Sequence, residues 1–272
     1  MSAAARVERF RALHAGPRAF VIPNVWDAGT ARIVAGLGFA ALATSSGACA
    51  GTLGRRDGEV SRDEAIAHAR AVSAATDLPV SADLENGYGA APEEAALTIR
   101  RAGEAGLAGA SIEDASGDAA EPIYAVAHAA ERVAAAAQAA RALPAGFVLT
   151  ARAENFLNGK ADLDDTIRRL QAFEKAGADV LFAPGLPDLA AVRTVCQSVS
   201  KPVNFMVGIR GKSFTLAQLE EAGVRRVSLA TSLWRAAMTA LVQAAEEVRD
   251  QGTFGYLDRS RPTAELTRFL RG

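Results

Sequence analysis

A (β/α)8 barrel is the architecture expected of these 272 residues, and three features lead to it. Helical patterns end in Ala-Gly or Leu-Gly and pass at once into a short apolar run, at Gly38, Gly106, Gly177 and Gly223. A glycine just past a helix end supplies the left-handed conformation there, and the runs that follow are too short for helices and read as buried strands. Other strands open at a Pro or Gly brake: AFVIPN, PVSADLE, FVLTARAE and PVNFMV. Eight strands, each followed by a helical pattern, within about 250 residues match the α/β barrel of the TIM type. A doubly wound open sheet is the competing architecture. It usually has a Gly-rich turn after its first strand, and VIPNVWDAG has none.

In chain order, strand 1 is expected at 19–24, with Asp27 capping a helix that starts near Ala28. Strand 2 (40–45) follows Gly38, and strand 3 (79–84) follows the Pro brake. The helix Glu94 to Ala105 leads into strand 4 (109–113), and strand 5 is 147–152. The helix Asp164 to Ala176 leads into strand 6 (179–183), strand 7 is 202–206, and the helix Leu216 to Ala222 leads into strand 8 (226–230). One barrel domain, 1–272, is the expectation, with an extra N-terminal helix over 1–16 and a C-terminal tail over 251–272. The tail carries Phe254, Tyr256, Leu257, Leu266, Phe269 and Leu270 and is expected to pack on another subunit.

Composition narrows the function. Lys plus Arg is 30 and Asp plus Glu is 31, so no global positive field favours nucleic acid or an anionic membrane. No apolar run approaches the roughly 20 residues that span a bilayer. The charged N-terminus lacks a signal-peptide core, so the expected location is cytoplasmic. The two cysteines, Cys49 and Cys196, are too few and too far apart for a disulfide framework or a Cys-based zinc site.

Catalytic groups of a barrel come from the C-terminal ends of its strands. Strand 2 ends Thr44-Ser45-Ser46-Gly47, strand 3 ends Asp83-Leu84-Glu85-Asn86-Gly87-Tyr88-Gly89, strand 4 ends Glu113-Asp114, strand 5 ends at Arg152 with Glu154 beyond, and strand 7 carries Asn204. Asp83 and Glu85 are two apart and are expected on one face, with Glu113 approaching from the next strand. Carboxylates converging on one rim repel one another unless a cation joins them. With oxygen ligands only, a hard cation such as Mg²⁺ or Mn²⁺ suits them. Arg152 is a bidentate partner for a substrate anion, or else a structural partner of Glu113 or Glu154. Thr44, Ser45, Ser46 and Gly47 offer hydroxyls and N–H groups to a second anionic oxygen. Tyr88 is a candidate hydrogen-bond donor to a developing oxyanion, and Lys212 a candidate residue of a mobile lid.

The succession IPNVWDAGTARIVAGLGFAALATSSGACAGTLGRRDGE, SADLENGYG, SIED and ARAENF resembles the isocitrate lyase/phosphoenolpyruvate mutase superfamily. The resemblance implies a barrel whose last helix is often exchanged between subunits, a dimer or tetramer, and Mg²⁺. It also implies a 2-oxo or 2-hydroxy acid substrate, cleaved or rearranged through an enolate. The family motif D-x-D-x-G-[YF]-G falls on Asp83, Glu85, Gly87, Tyr88 and Gly89, with Glu85 in place of the second Asp. By the same resemblance Glu113 and Asp57 join Asp83 and Glu85 around the metal. Thr44, Ser45, Ser46, Gly47 and Arg152 hold substrate oxygens.

The departures concern acid–base chemistry. The K-[KR]-C-G-H loop of the cysteine-dependent lyases is replaced by DASGDAAEPIYAV. The gating Lys and Asn of the phosphonate mutases are missing from the same place, and the Glu after strand 6 is replaced by Ala183-Pro184-Gly185. Carbon–carbon cleavage of a small di- or tricarboxylic acid is therefore the expected activity, with Arg152, Tyr88 and Glu113 as catalytic groups. P–C chemistry on a phosphonopyruvate-like substrate and a non-catalytic 2-oxo acid binder are the alternatives.

Overall fold

The punctuated segments do form eight parallel strands. In the computed structural model, which describes residues 1–270, they are β1 (Phe20–Ile22), β2 (Leu42–Ala43), β3 (Val80–Asp83), β4 (Gly109–Glu113), β5 (Val148–Arg152), β6 (Val180–Phe182), β7 (Val203–Met206) and β8 (Arg226–Ser228). The helices are α1 (Ala3–Ala15), α2 (Ala28–Gly36), α3 (Ser46–Thr52), α4 (Arg62–Ala74), α5 (Pro92–Glu104), α6 (Val126–Ala142), α7 (Leu163–Ala176), α8 (Leu189–Ser198), α9 (Leu216–Glu221), α10 (Ser232–Gln251) and α11 (Thr263–Thr267). Gly38, Gly106, Gly177 and Gly223 all have positive φ, as helix-ending glycines should. Asp27 caps α2 through a reciprocal pair with Thr30.

Strand order is β1-β8-β7-β6-β5-β4-β3-β2. The ring is completed by a parallel bridge between Asn24 and Ala43. Asn24 secures that seam with its side chain: Nδ2 donates to Thr44 O at 2.6 Å, and Oδ1 accepts from Leu229 N at 2.8 Å. Apolar side chains such as Leu84, Ile99, Ile112, Leu149, Leu170 and Phe173 fill the shell between strands and helices. Val7 and Phe10 of α1 pack with Ile22, Val148 and Val180 to close the barrel floor.

Inside the barrel the packing is unusual. Barrel interiors are commonly filled by branched apolar residues. Here Ser81, Ser111, Thr150, Asn204 and Arg226 are buried instead. Small polar side chains leave room, and a cavity of about 320 Å³ descends from the rim among them.

α10 runs for 20 residues with none of them buried. Its first turn is held by Trp234, which lies where a Cβ on Gly51 would stand. The tail returns to its own barrel at one point: Phe269 occupies the space beside Gly36 of α2, and Arg32 Nη1 donates to Leu270 O at 2.8 Å. Phe254, Leu257, Leu266 and Leu270 stay exposed. The expectation that the tail packs on a neighbouring subunit is thus narrowed by this contact within the chain.

Candidate active site

The strand register assembles the rim. Asp83 pairs laterally with Ser111, and Glu113 with Arg152. Arg152 lies beside Phe182, Phe182 beside Asn204, and Asn204 beside Arg226. Arg152 sits at the centre of the acids. Nη1 lies 3.1 Å from Asp83 Oδ1 and 3.3 Å from Glu113 Oε2, and Nη2 lies 2.7 Å from Glu154 Oε1. Its guanidinium rests 4.9 Å from the Phe182 ring centroid. Burial disfavours the charge on Arg152, but Glu154, Glu113 and Asp83 outweigh burial and hold it protonated, above its ordinary value. The other oxygen of Asp83, Oδ2, accepts from Ser46 N at 3.2 Å and Ser46 Oγ at 3.1 Å. Asp83 N donates to Thr44 Oγ1 at 3.1 Å.

The TSSG segment is the entry of a helix rather than an open loop. Ser45 caps α3, its Oγ accepting from Ala48 N. Asp57, from the loop after α3, leans over Gly47: a Cβ there would stand 3.1 Å from Asp57 Oδ2 and 3.1 Å from Thr231 Cγ2. Gly47 therefore permits the approach of that carboxylate. Burial raises the Asp57 pKa, and the charge of Asp83 adds to the rise. Glu113 is pushed well above its ordinary value, chiefly by burial, with Arg152 opposing.

Glu85 departs from the sequence expectation. β3 ends at Asp83, and the chain then turns, with Gly87 N donating to Leu84 O and Glu85 at φ 47°. The alternation that would put Glu85 on the face of Asp83 stops at the strand end. Glu85 and Tyr88 line a small adjoining recess with Cys49 and His68, behind Asp83 and off the main cavity. Burial and the charges of Asp83 and Asp57 push the Glu85 carboxyl up to about 7. Burial raises the Tyr88 hydroxyl too, with Glu85 adding to it. The turn is clamped by two arginines: Arg132 Nη1 donates to Gly89 O at 2.5 Å and Ala90 O at 2.6 Å, and Arg62 Nη2 to Tyr88 O at 3.2 Å.

The segment after β4, which lacks the family acids, is folded down. Ala115 and Ile123 form an antiparallel bridge, Ser116 N donates to Pro122 O and Tyr124 N to Asp114 O. Arg169 anchors its base through Asp114 Oδ2 at 2.9 Å and Tyr124 O at 2.7 Å. The cavity is walled instead by Leu157, Met206, Gly208, Ile209, Ala230 and Thr231. Lys212, at the end of that wall, donates to Gly185 O at 3.1 Å.

Thr44, Ser45, Ser46, Asp57, Asp83, Arg152 and Asn204 thus share one cavity. Ser81, Ser111, Arg226 and Ser228 belong to it and were missed by sequence reasoning. Ser81 and Ser111 precede Asp83 and Glu113 by two residues, so alternation alone could have found them. Arg226 was signalled by a charge inside the apolar run VRRVSLA. Cys49 is buried and its thiol pushed up to about 11, chiefly by burial, which suits a packing role. Cys196, half-buried on α8, is raised to about 11 by the same cause.

A parallel barrel with a buried arginine set among rim carboxylates defines the class: an α/β-barrel protein with an acid-rich pocket at the strand ends. Residues 10–249 match the family model described as phosphoenolpyruvate phosphomutase, and the chain belongs to that family, within the phosphoenolpyruvate mutase/isocitrate lyase superfamily. A Burkholderia cenocepacia J2315 structure described only broadly, as a lyase/mutase, is 50% identical. It has a TM-score of 0.97 and covers 99% of this chain and 97% of its own. An oxaloacetate decarboxylase of Bradyrhizobium diazoefficiens is 31% identical over 75% of this chain and 71% of its own. The 2-methylisocitrate lyase of Escherichia coli K12 is 28% identical over 77% of this chain and 73% of its own. Among the described residues no helix is long and apolar enough to cross a membrane.

Proposed function

We propose that this protein is a divalent-metal-dependent carbon–carbon lyase acting on a small 2-oxo or 2-hydroxy di- or tricarboxylic acid. The observation that carries the reading is the rim itself, where, among the described residues, Arg152 is the single basic group paired with Asp83, Glu113 and Glu154. Asp57 and Glu85 add negative charge from either side, and each is raised in pKa partly by Asp83. An anionic substrate entering this rim needs a cation beyond Arg152.

The donor set fits Mg²⁺ or Mn²⁺. Every candidate ligand is a carboxylate oxygen, as hard cations prefer. Among the described residues no group of three or more His, Cys, Asp or Glu stands close enough to hold an ion jointly. An ion held by Asp83 would reach Asp57, Glu85 and Glu113 through its waters, since Mg²⁺ keeps several. When bound, the cation supplies Lewis-acid polarisation of the 2-oxo oxygen. The chain's residues do the rest. Arg152 binds a substrate carboxylate and orients it. Ser46 fixes Asp83 through both its N–H and its hydroxyl. Thr44, Ser45, Asn204 and the helix entry at Gly47 offer further donors to substrate oxygens. Glu113, 3.3 Å from Arg152 Nη1, is the acid–base candidate beside that guanidinium, and burial raises its pKa.

The decarboxylase and methylisocitrate lyase relatives support the lyase class. P–C chemistry is the second reading, favoured by the phosphomutase family model. A binder without turnover is the third, favoured by the pinned segment after β4, which places no acid or base in the cavity. The deciding experiment incubates the protein and Mg²⁺ or Mn²⁺ with 2-oxo acids, 2-hydroxy acids and phosphonopyruvate. Release of pyruvate or glyoxylate from a carboxylic acid supports the lyase. Release from phosphonopyruvate alone selects the P–C reading, and metal-dependent thermal stabilisation without release selects the binder. We further propose a homo-oligomer, dimer or tetramer, with α10 at the interface, because Leu241, Val242 and Val248 are exposed along it. A monomer by sedimentation at micromolar concentration would remove that part.

A further inference from the structure

Arg226 is 4% exposed, yet among the described residues no carboxylate pairs with it. Its Nε donates to Asn204 Oδ1 at 2.7 Å and its Nη2 to Thr150 Oγ1 at 3.0 Å. Nη1 has only a long contact, 3.5 Å, with the His14 ring. A guanidinium has five N–H groups, so two remain without a partner. Arg226 also lines the cavity that opens at the rim. A buried cation without a counter-charge is costly and persists where something compensates it. Burial, with Arg152 nearby, depresses its pKa to about 9. The surrounding groups are as telling as the missing acid. Ser81, Ser111, Asn204 and Ser228 line the same cavity and are all neutral donors. Asn204 Nδ2 donates to Ser228 Oγ at 3.0 Å, and the cavity's own carboxylates, Asp57 and Asp83, stand at the rim, where Ser111 Oγ donates to Asp83 Oδ1 at 3.4 Å.

We propose that Arg226, with Asn204 and Ser228, forms a second anion subsite inside the barrel that receives a carboxylate at the far end of the ligand. The spacing suits this. Thr150, which Arg226 touches, is two residues from Arg152 on the same strand, about 6.6 Å along it. That is roughly the reach of a four- or five-carbon diacid. One carboxylate near Arg152 and one near Arg226 therefore define the length of ligand that fits. The inference rests on the cavity being the substrate site, but it concerns binding and does not need turnover.

The test is calorimetry in the presence of Mg²⁺ with butyrate, succinate, glutarate and pyruvate, on wild type, Arg226→Met and Arg226→Lys. Wild type should bind succinate or glutarate at least about tenfold more tightly than butyrate, the effect of a charge-assisted contact. Arg226→Met should abolish that preference and leave pyruvate affinity within about threefold. Arg226→Lys should keep only part of it, since the fork is lost. The thermal midpoint of free Arg226→Met should stay level or rise, because the variant removes an uncompensated buried charge. A wild type without diacid preference overturns the subsite with no variant needed. So does a variant that weakens pyruvate and diacids alike, and so does one that melts several degrees lower or fails to fold. Absence of lyase activity with the diacid preference intact would remove the proposed reaction and leave the subsite standing.

Discussion

Two arginines lie inside the same barrel, one layer apart, in opposite surroundings. Arg152 at the rim meets Asp83, Glu113 and Glu154 within 3.3 Å. Arg226 below meets an amide, a hydroxyl and an uncharged imidazole. The first is a structural cation as well as a candidate ligand: without it, three carboxylates would share a poorly solvated space. The second compensates nothing. The contrast separates a charge the fold requires from a charge the fold merely tolerates.

The largest effect expected from that contrast is on stability. Arg152→Met leaves buried carboxylates unpaired and should cost about 3–5 kcal/mol by denaturant unfolding, whereas Arg226→Met should cost nothing. Equal costs would erase the distinction. Next comes Asp83→Asn, which should weaken Mg²⁺ binding and oxalate binding together by about 10–100-fold or more while the barrel stays folded. Calorimetry on chelator-treated protein reads both. Oxalate binding that ignores Mg²⁺ would make the rim acids structural.

A smaller effect lies at the floor. His14 is buried and, with Arg226 adding to burial, its pKa is lowered from 6.5 to about 3. The folded state thus refuses a proton that the unfolded state accepts. Stability is fully present above about pH 6.5 and is lost as pH falls towards 3. Between pH 7 and 5 the loss from this group should be of the order of 1–2 kcal/mol. His14→Asn should flatten that part of the pH–stability curve, and a curve unchanged by the substitution would rule out His14 as its source. Smallest is the cysteine pair. Cys49→Ser and Cys196→Ser should each leave turnover within about twofold, because neither thiol is activated. A hundredfold loss in a folded Cys49→Ser protein would make it an acid–base group.

The strands were legible because glycine and proline punctuate them and because buried parallel strands are continuously apolar. Rim residues on strands followed, and Asp83, Glu113 and Arg152 are neighbours as register demands. Legibility ended where the backbone left the strand. Glu85 lies past the end of β3 at positive φ, so period-two reasoning misplaces it. The floor was signalled only by a charge inside the apolar run VRRVSLA. Arg225 and Arg226 are adjacent in sequence, and only tertiary packing sends one outward to Pro17 O and the other into the barrel. The segment after β4 could be read for what it lacks, but not for its hairpin-like bridge between Ala115 and Ile123.

The Asn24 seam has a consequence for how the chain is made. Its amide joins a carbonyl 20 residues away to an N–H 205 residues away. During synthesis at about 5–20 residues per second, the second partner emerges roughly 10–40 s after the first. Until then the ring is an open sheet with two unpaired edges, and the polar lumen is continuous with solvent. Nascent chains that stall before residue 226 hold every rim acid yet lack the strand that joins β1 to β7, so no closed pocket exists before β8 is made.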